Sequence, residues 1–154
     1  RHQWVPKMIA PACAFLDIIS AKRSPGEIAS FYQSRLDALG RAYLKNCPRP
    51  ELALPLTELE DNRDFVRPFP PTLVTVGEKD IILKDSERLA DILLLRGIKH
   101  QLITYPGGIH AFHAVISHPL AKKCWRDHMV YWFECLESTQ HIDIAEELNE
   151  SVHT

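Results

Sequence analysis

Five residues, Thr72-Leu73-Val74-Thr75-Val76, constrain the fold of this chain more than any other stretch. The run is largely β-branched, uncharged, and bounded by Pro70-Pro71 on one side and Gly77 on the other. That is the pattern of a short strand buried on both faces, and such a strand needs helices above and below it. The residues that follow supply one. Asp85 or Ser86 can cap a helix whose positions Leu89, Ile92, Leu93 and Leu95 face inward, and Gly97 ends it. Gln101 to Tyr105 is a second strand, Pro106-Gly107-Gly108 a sharp turn, and Leu120 to Leu136 a last helix with Trp125, Met129, Trp132 and Phe133 on its apolar side. Strand, helix, strand, helix is the grammar of a parallel sheet in an α/β fold.

Upstream, Lys7 to Ile19 is an apolar run containing Pro11, read as a further buried strand and the loop after it. About three parallel strands result. A helix then begins with Ser24 as N-cap, Pro25 at the first helical position and Glu27 completing a capping box. Its apolar face runs through Ile28, Phe31, Leu36, Leu39 and Tyr43 to about Lys45, where Asn46-Cys47-Pro48-Arg49-Pro50 stops it. Residues 46–71 form a proline-rich connection with one helical turn around Leu56 to Asn62. Beyond Glu137 the chain is polar and acidic and is expected to fray.

Composition narrows the function classes. A formal net charge of −2 gives no electrostatic reason to bind nucleic acid or an anionic membrane. The longest apolar stretch, Met8 to Ile19, is interrupted by Pro11 and Asp17 and is too short to span a bilayer. Cys13, Cys47, Cys124 and Cys135 lack metal-ligand spacing and read as reduced structural thiols, with neither metal nor cofactor expected. The chain opens Arg-His-Gln-Trp, with no leading Met and no signal-like apolar segment. The expectation is a chain that begins partway through a longer, cytoplasmic protein.

Two turns carry the chemistry. Asp80 lies just beyond the C-terminal end of the first well-marked strand, and His110 follows Gly107-Gly108 beyond the second. Ligand sites of open α/β sheets lie outside these strand ends. A carboxylate there can accept a hydrogen bond from an imidazole N–H, fixing its tautomer and stabilising the imidazolium as it forms. Taken singly, Asp80 reads as a turn-former, while a surface-loop reading fits His100 and His141, which have no matching acid-bearing turn, better than His110. Asp85 reads as a helix cap. His110, His113 and His118 would make a metal site only on a helix, which the Pro-Gly-Gly turn and Pro119 disfavour. No G-x-S-x-G occurs, so no serine sits on a strand-to-helix elbow, and no glycine-rich oxyanion segment is present.

Pro70-Pro71, the strand Thr72 to Val76, Gly77, Asp80, Leu83, Asp85, Gly97, Tyr105 and His110-Ala111-Phe112 together resemble the C-terminal half of an α/β-hydrolase of the hormone-sensitive-lipase-like esterase family. Ile9 to Ile19 and Ala42-Tyr43-Leu44 extend the likeness less closely. Ile81 stands where the family commonly has proline, and Ala111 where it commonly has glycine. The resemblance implies the C-terminal half of a doubly wound sheet, with residues 1–137 a partial hydrolase domain, 21–69 a cap-like or connecting segment, and 138–154 a tail. It implies a serine carboxylic-ester hydrolase acting on a small acyl ester, with Asp80 and His110 as acid and base. The order Ser, Asp, His places the nucleophile before Arg1. A homodimer through the edge strand Gln101 to Tyr105 also follows from it. The alternatives are a non-catalytic interaction module or truncated pseudo-enzyme, and a prolyl-oligopeptidase-type peptidase. With its neighbouring strands lacking, the Lys7–Ile19 edge is expected to favour aggregation of the isolated chain.

Overall fold

Strand β1 (Thr72–Gly77) is buried along its whole length, and the core is built by the helices and the strand that pack directly on it. The computed structural model describes residues 5–17, 27–50, 54–61, 65 and 67–152, with the backbone alone for 27–33, 36 and 139–152. Side chains alternate along β1. Val74 faces Leu56, Leu89, Ile92 and Leu93 on one side. Leu73 faces Tyr131 and Cys135 on the other, and Thr75 reaches His128 on that side too. A period of two with both faces covered is what a central parallel strand requires.

Strand β2 (His100–Tyr105) pairs with β1 in parallel, in the register Thr72↔His100 through Gly77↔Tyr105. The connection between them is helix α3 (Leu83–Leu95), which closes with a Schellman motif. Gly97 adopts φ +64°, its N–H donates to the Leu94 carbonyl, and the Ile98 N–H donates to the Leu93 carbonyl. Glycine enters the left-handed region without the Cβ penalty other residues meet there, so the helix stops where the sequence suggests.

On the far side of β1, residues 9–13 run parallel to it but form no continuous strand. Bridges pair Ile9 with Thr72 and Ala12 with Thr75. Ile9 N–H donates to Pro71 O, Leu73 N–H to Ile9 O, Thr75 N–H to Pro11 O, and Cys13 N–H to Thr75 O. Pro11 has no N–H to offer Leu73 O, so the ladder loses one rung. The expected strand across Lys7 to Ile19 is thus an extended line with two bridges, and its last residues, 18 and 19, lie outside the described region.

Several expectations are corrected. Helix α3 begins at Leu83 with no side-chain cap. Asp85 is instead a buried acceptor, its Oδ2 taking the N–H groups of Leu16 and Asp17 at 3.0 and 2.9 Å. Leu95 is 86% exposed, because it lies roughly 120° around the helix from Leu89. Helix α4 (Pro119–Val152) runs past Leu136, so residues 138–152 are helical rather than frayed, and nothing after Pro119 in that span is a proline or glycine that would stop it. Its buried positions are Ala121, Cys124, His128, Tyr131 and Cys135. Trp125, Met129, Trp132 and Phe133, expected inside, are each more than two-fifths exposed. The small Ala121 and Cys124 let the helix approach the sheet more closely than an indole would allow.

Helix α1 (Glu27–Leu44) ends where the sequence suggests, but Leu39 and Tyr43 are exposed while Gly40 is buried. The capping residues expected at Ser24 and Pro25 lie outside the described residues. The short helix α2 (Pro55–Glu60) sets Leu56 into the α3 face of the core. Arg88 on α3 ties α2 to the loop after residue 13, reaching Glu60 at 2.5 Å and Asp17 at 2.6 Å. No helix among the described residues is long and apolar enough to cross a membrane.

Candidate active site

The two strands end level, at Gly77 and Tyr105, and their loops are tied together by backbone. Glu78 N–H and Gly108 N–H both donate to Tyr105 O, and Lys79 N–H donates to Gly108 O at 2.8 Å. Glu78 adds its carboxylate, which accepts the Gly107 N–H at 2.8 Å. The approach is close enough that a Cβ on Gly77 would collide with the Gly108 carbonyl, and one on Gly108 would lie 3.0 Å from Gly77 Cα. Glycine at both positions is therefore a packing requirement.

This clamp sets Asp80 opposite His110. The imidazole Nδ1 lies 3.0 Å from Asp80 Oδ1 and 3.2 Å from Oδ2. The Asp80 side chain is wholly buried, whereas that of His110 is 48% exposed. Oδ1 also accepts the Ile82 N–H at 3.0 Å. Burial by itself would push the Asp80 carboxyl up. Hydrogen bonds from His110, from the Ile82 N–H and from the Cys13 thiol outweigh it and hold the group below the usual carboxylate range. The hydrogen bond to Asp80 raises His110 above an ordinary imidazole, against the opposing effect of its own desolvation.

An Nδ1–H donated to an ionised carboxylate leaves Nε2 as the acceptor of a half-exposed ring. Such a ring can take a proton from a hydroxyl brought to it and return that proton to a leaving group. Asp80 and His110, the two residues singled out from sequence, are thus in direct contact. The other histidines go elsewhere. His113 packs its ring against Phe112 and Trp125, and burial, with His110 nearby, lowers it. His118 Nδ1 accepts the Leu120 N–H at the start of α4.

Ala111 takes φ 57°, a left-handed conformation that costs an alanine about 1 kcal/mol or more. Its place in the loop explains why glycine suits that position. Cys13 is the neighbour that sequence reading missed. It takes φ 47° at the end of the extended line, its N–H donates to Thr75 O at 2.8 Å, and it is buried with Tyr105 and Phe112. Only its place opposite Thr75 reveals this, and Pro11 obscures that pairing. Among the described residues no serine is hydrogen-bonded to His110; Ser86 is buried in α3, and Ser138 donates to the Cys135 carbonyl. A cavity of about 610 Å³ lies apart from these loops, between residues 9–11, α2, Phe69 and Leu89.

A family model described as the alpha/beta hydrolase fold matches residues 2–114. Solved structures share the fold. An esterase from the bacterial hormone-sensitive lipase family superposes with a TM-score of 0.63 at 20% identity, covering 77% of this chain and 40% of that one. Esterase E25 gives 0.65 at 21% identity, over 82% and 39%. A hormone-sensitive lipase from a metagenome library gives 0.66 at 19% identity, over 84% and 44%. The chain spans about two-fifths of the length of these structures. No curated protein matches it.

Proposed function

The chain belongs to the alpha/beta hydrolase fold family, and from that premise we propose that Asp80 and His110 are the acid and base of a serine carboxylic-ester hydrolase. The observation that carries this reading is the 3.0 Å bond from His110 Nδ1 to a carboxylate that is wholly buried, with the rest of the imidazole reaching solvent. In this reading a serine from polypeptide outside these 154 residues stands at Nε2. The imidazole takes the serine proton as the oxygen attacks the ester carbonyl, and then protonates the departing alkoxide. Water repeats the cycle on the acyl-enzyme, and Asp80 stays ionised throughout, holding the ring and stabilising the imidazolium.

The solved structures that share the fold include esterases and a hormone-sensitive lipase, which supports a short acyl ester as substrate over a peptide. Residues 1–137 are then the partial hydrolase domain, 21–69 the cap-like or connecting segment, and 138–154 the tail, of which 138–152 extend the last helix. The outer edge of β2 pairs with no other described strand, which supports a second copy adding there.

The test is hydrolysis of p-nitrophenyl acetate and butyrate by the protein at its native length, with Asp80→Asn and His110→Ala alongside. Losses of about 10³-fold or more in kcat are expected for either substitution. Both variants working at the parental rate would sink the assignment, and peptide cleavage without ester cleavage would move it to a peptidase.

A further inference from the structure

We propose that Tyr105 is a positioning residue for His110: its side chain, moored to Asp127 on α4, holds in place the loop that presents the imidazole to Asp80. The proposal rests on reading Asp80 and His110 as acid and base.

Tyr105 ends β2 and is the one buried residue of that strand, at 1% exposure. A phenol taken that far out of water needs a partner for its hydroxyl. Asp127 supplies it: the hydroxyl donates to Oδ2 at 2.7 Å. Lys123, one turn earlier on the same helix, donates to the same oxygen at 2.7 Å. Its ammonium stands 5.2 Å from the centre of the Tyr105 ring. Burial raises the Asp127 carboxyl, but the hydrogen bonds from Lys123 and Tyr105 outweigh it and keep the group ionised.

The rest of Tyr105 grips the His110 loop on both sides. Before the histidine, the Tyr105 carbonyl accepts the Gly108 N–H at 3.0 Å and the Glu78 N–H at 2.9 Å, which joins that loop to the one carrying Asp80. After it, the Phe112 ring stands 5.1 Å from the Tyr105 ring, tilted by 48°. Both rings lie in one buried cluster with Cys13 and Cys124. Gly108 and Phe112 flank His110 at equal distance in sequence, so the imidazole hangs from a short loop with both shoulders on one tyrosine.

A phenylalanine would fill the same space with no polar atom to satisfy. What the hydroxyl adds is a fixed distance to α4, which keeps the ring against Phe112 and the loop from drifting off Asp80. The 3.0 Å contact between His110 and Asp80 is sensitive to such drift, because hydrogen bonds weaken steeply when bent.

Contact with Asp80 is what raises His110, so loosening the loop should lower its midpoint towards that of an ordinary imidazole. The ring faces Asp80, with His113 the other titratable group near it; Asp127 faces Tyr105, Lys123 and Arg126. The experiment is an NMR titration of the His110 ring in the protein at its native length, with Tyr105→Phe, Asp127→Ala, Asp127→Asn and Asp80→Asn. The resonance is assigned by its loss in His110→Gln.

Tyr105→Phe, which changes no charge at neutral pH, should lower the midpoint by about 0.2–0.5 pH unit, and Asp127→Ala should match it. Asp127→Asn, whose amide oxygen still accepts the phenol, should recover at least half of that loss. In Tyr105→Phe, kcat on p-nitrophenyl butyrate should fall about 3–10-fold with KM within about twofold. An unmoved midpoint in Tyr105→Phe, even with a lowered Tm, overturns the proposal, as does a raised KM with kcat unchanged. Equal shifts in the two Asp127 variants overturn it too. Asp80→Asn must itself lower the midpoint. If it does not, the acid–base reading fails, and the two failures are thereby distinguished. Amide exchange gives a second measurement. The Gly108 N–H should exchange faster in Tyr105→Phe relative to the Ile98 N–H near the other end of β2, and an unchanged ratio overturns the proposal.

Discussion

Replacing Gly77 by alanine should damage the site without touching either of its ionisable groups. Gly77 has no positive φ, so an alanine could adopt its backbone, and a free-standing Gly→Ala change at such a position would stabilise by about 0.4–1 kcal/mol. Here the added Cβ would run into the Gly108 carbonyl, which is backbone and cannot rotate away. The loops must part, and the bonds at stake are Lys79 N–H to Gly108 O and Glu78 N–H to Tyr105 O. Two weakened hydrogen bonds at about 1 kcal/mol each, with the strain of overpacking, give a net loss of about 2–4 kcal/mol. For a chain of this size that lowers Tm by roughly 5–15 °C. Because Lys79 precedes Asp80 and Gly108 lies two residues before His110, the 3.0 Å contact must lengthen as well, and the His110 midpoint should fall towards an ordinary imidazole. Gly97→Ala is the control. It meets nothing within 4 Å but has φ +64°, so it should cost about 1 kcal/mol and leave His110 alone. Thermal melts with histidine NMR decide the matter. A Gly77→Ala protein that melts as high as its parent with an unmoved His110 midpoint would refute the clamp.

Stability should also peak in a defined pH window. Asp80 is held below its unfolded value, so its contribution is complete above about pH 4 and is lost as pH falls through the folded value. His110 is held above its unfolded value, so its contribution is complete below about pH 6.5 and is lost as pH rises through the folded value. Asp80→Asn should flatten both limbs in Tm measured against pH, and limbs unchanged in that variant would refute the coupling. Ala111→Gly should stabilise by about 1 kcal/mol by relieving φ 57°, read as a higher denaturant midpoint; a lower midpoint would count against the left-handed assignment. Trp132→Glu, at an exposed position, should reduce self-association in light scattering and change Tm by no more than a few degrees. A collapse of the fold would show that the indole is buried.

The elements legible in sequence were those whose residues admit one solution. Val74 and its neighbours form a β-branched run between Pro-Pro and Gly, and Gly97 sits where only a left-handed residue closes the helix. Asp80 and His110 were legible because each follows a well-marked strand end, and parallel pairing brings those ends together. Readings failed where hydrophobicity and proximity part company. Helix α4 turns Cys124, His128 and Cys135 to the sheet and leaves Trp125 and Trp132 outside, since close approach favours small side chains over apolar ones. Asp85 looked like a cap because it opens a helical pattern, but its carboxylate closes a loop 69 residues away in sequence. Cys13 was unreadable for a similar reason: Pro11 spoils the strand pattern that would have aligned it with Thr75.

The placement of the cysteines also makes the protein a recorder of its own opening. Cys13, Cys124 and Cys135 are buried and reduced, while Cys47 is half-exposed. A thiol reagent should modify Cys47 promptly and reach the others only through transient openings. Cys124 and Cys135 can be alkylated only when α4 lifts from the sheet, whereas Cys13, packed with Tyr105, Phe112 and Cys124, also reports the loop after β2. Mass spectrometry of the labelled positions over time, Cys13 against Cys135, would therefore separate the breathing of the last helix from that of the strand-end loops. The protein needs no engineered probe for this, because each moving part already carries its own.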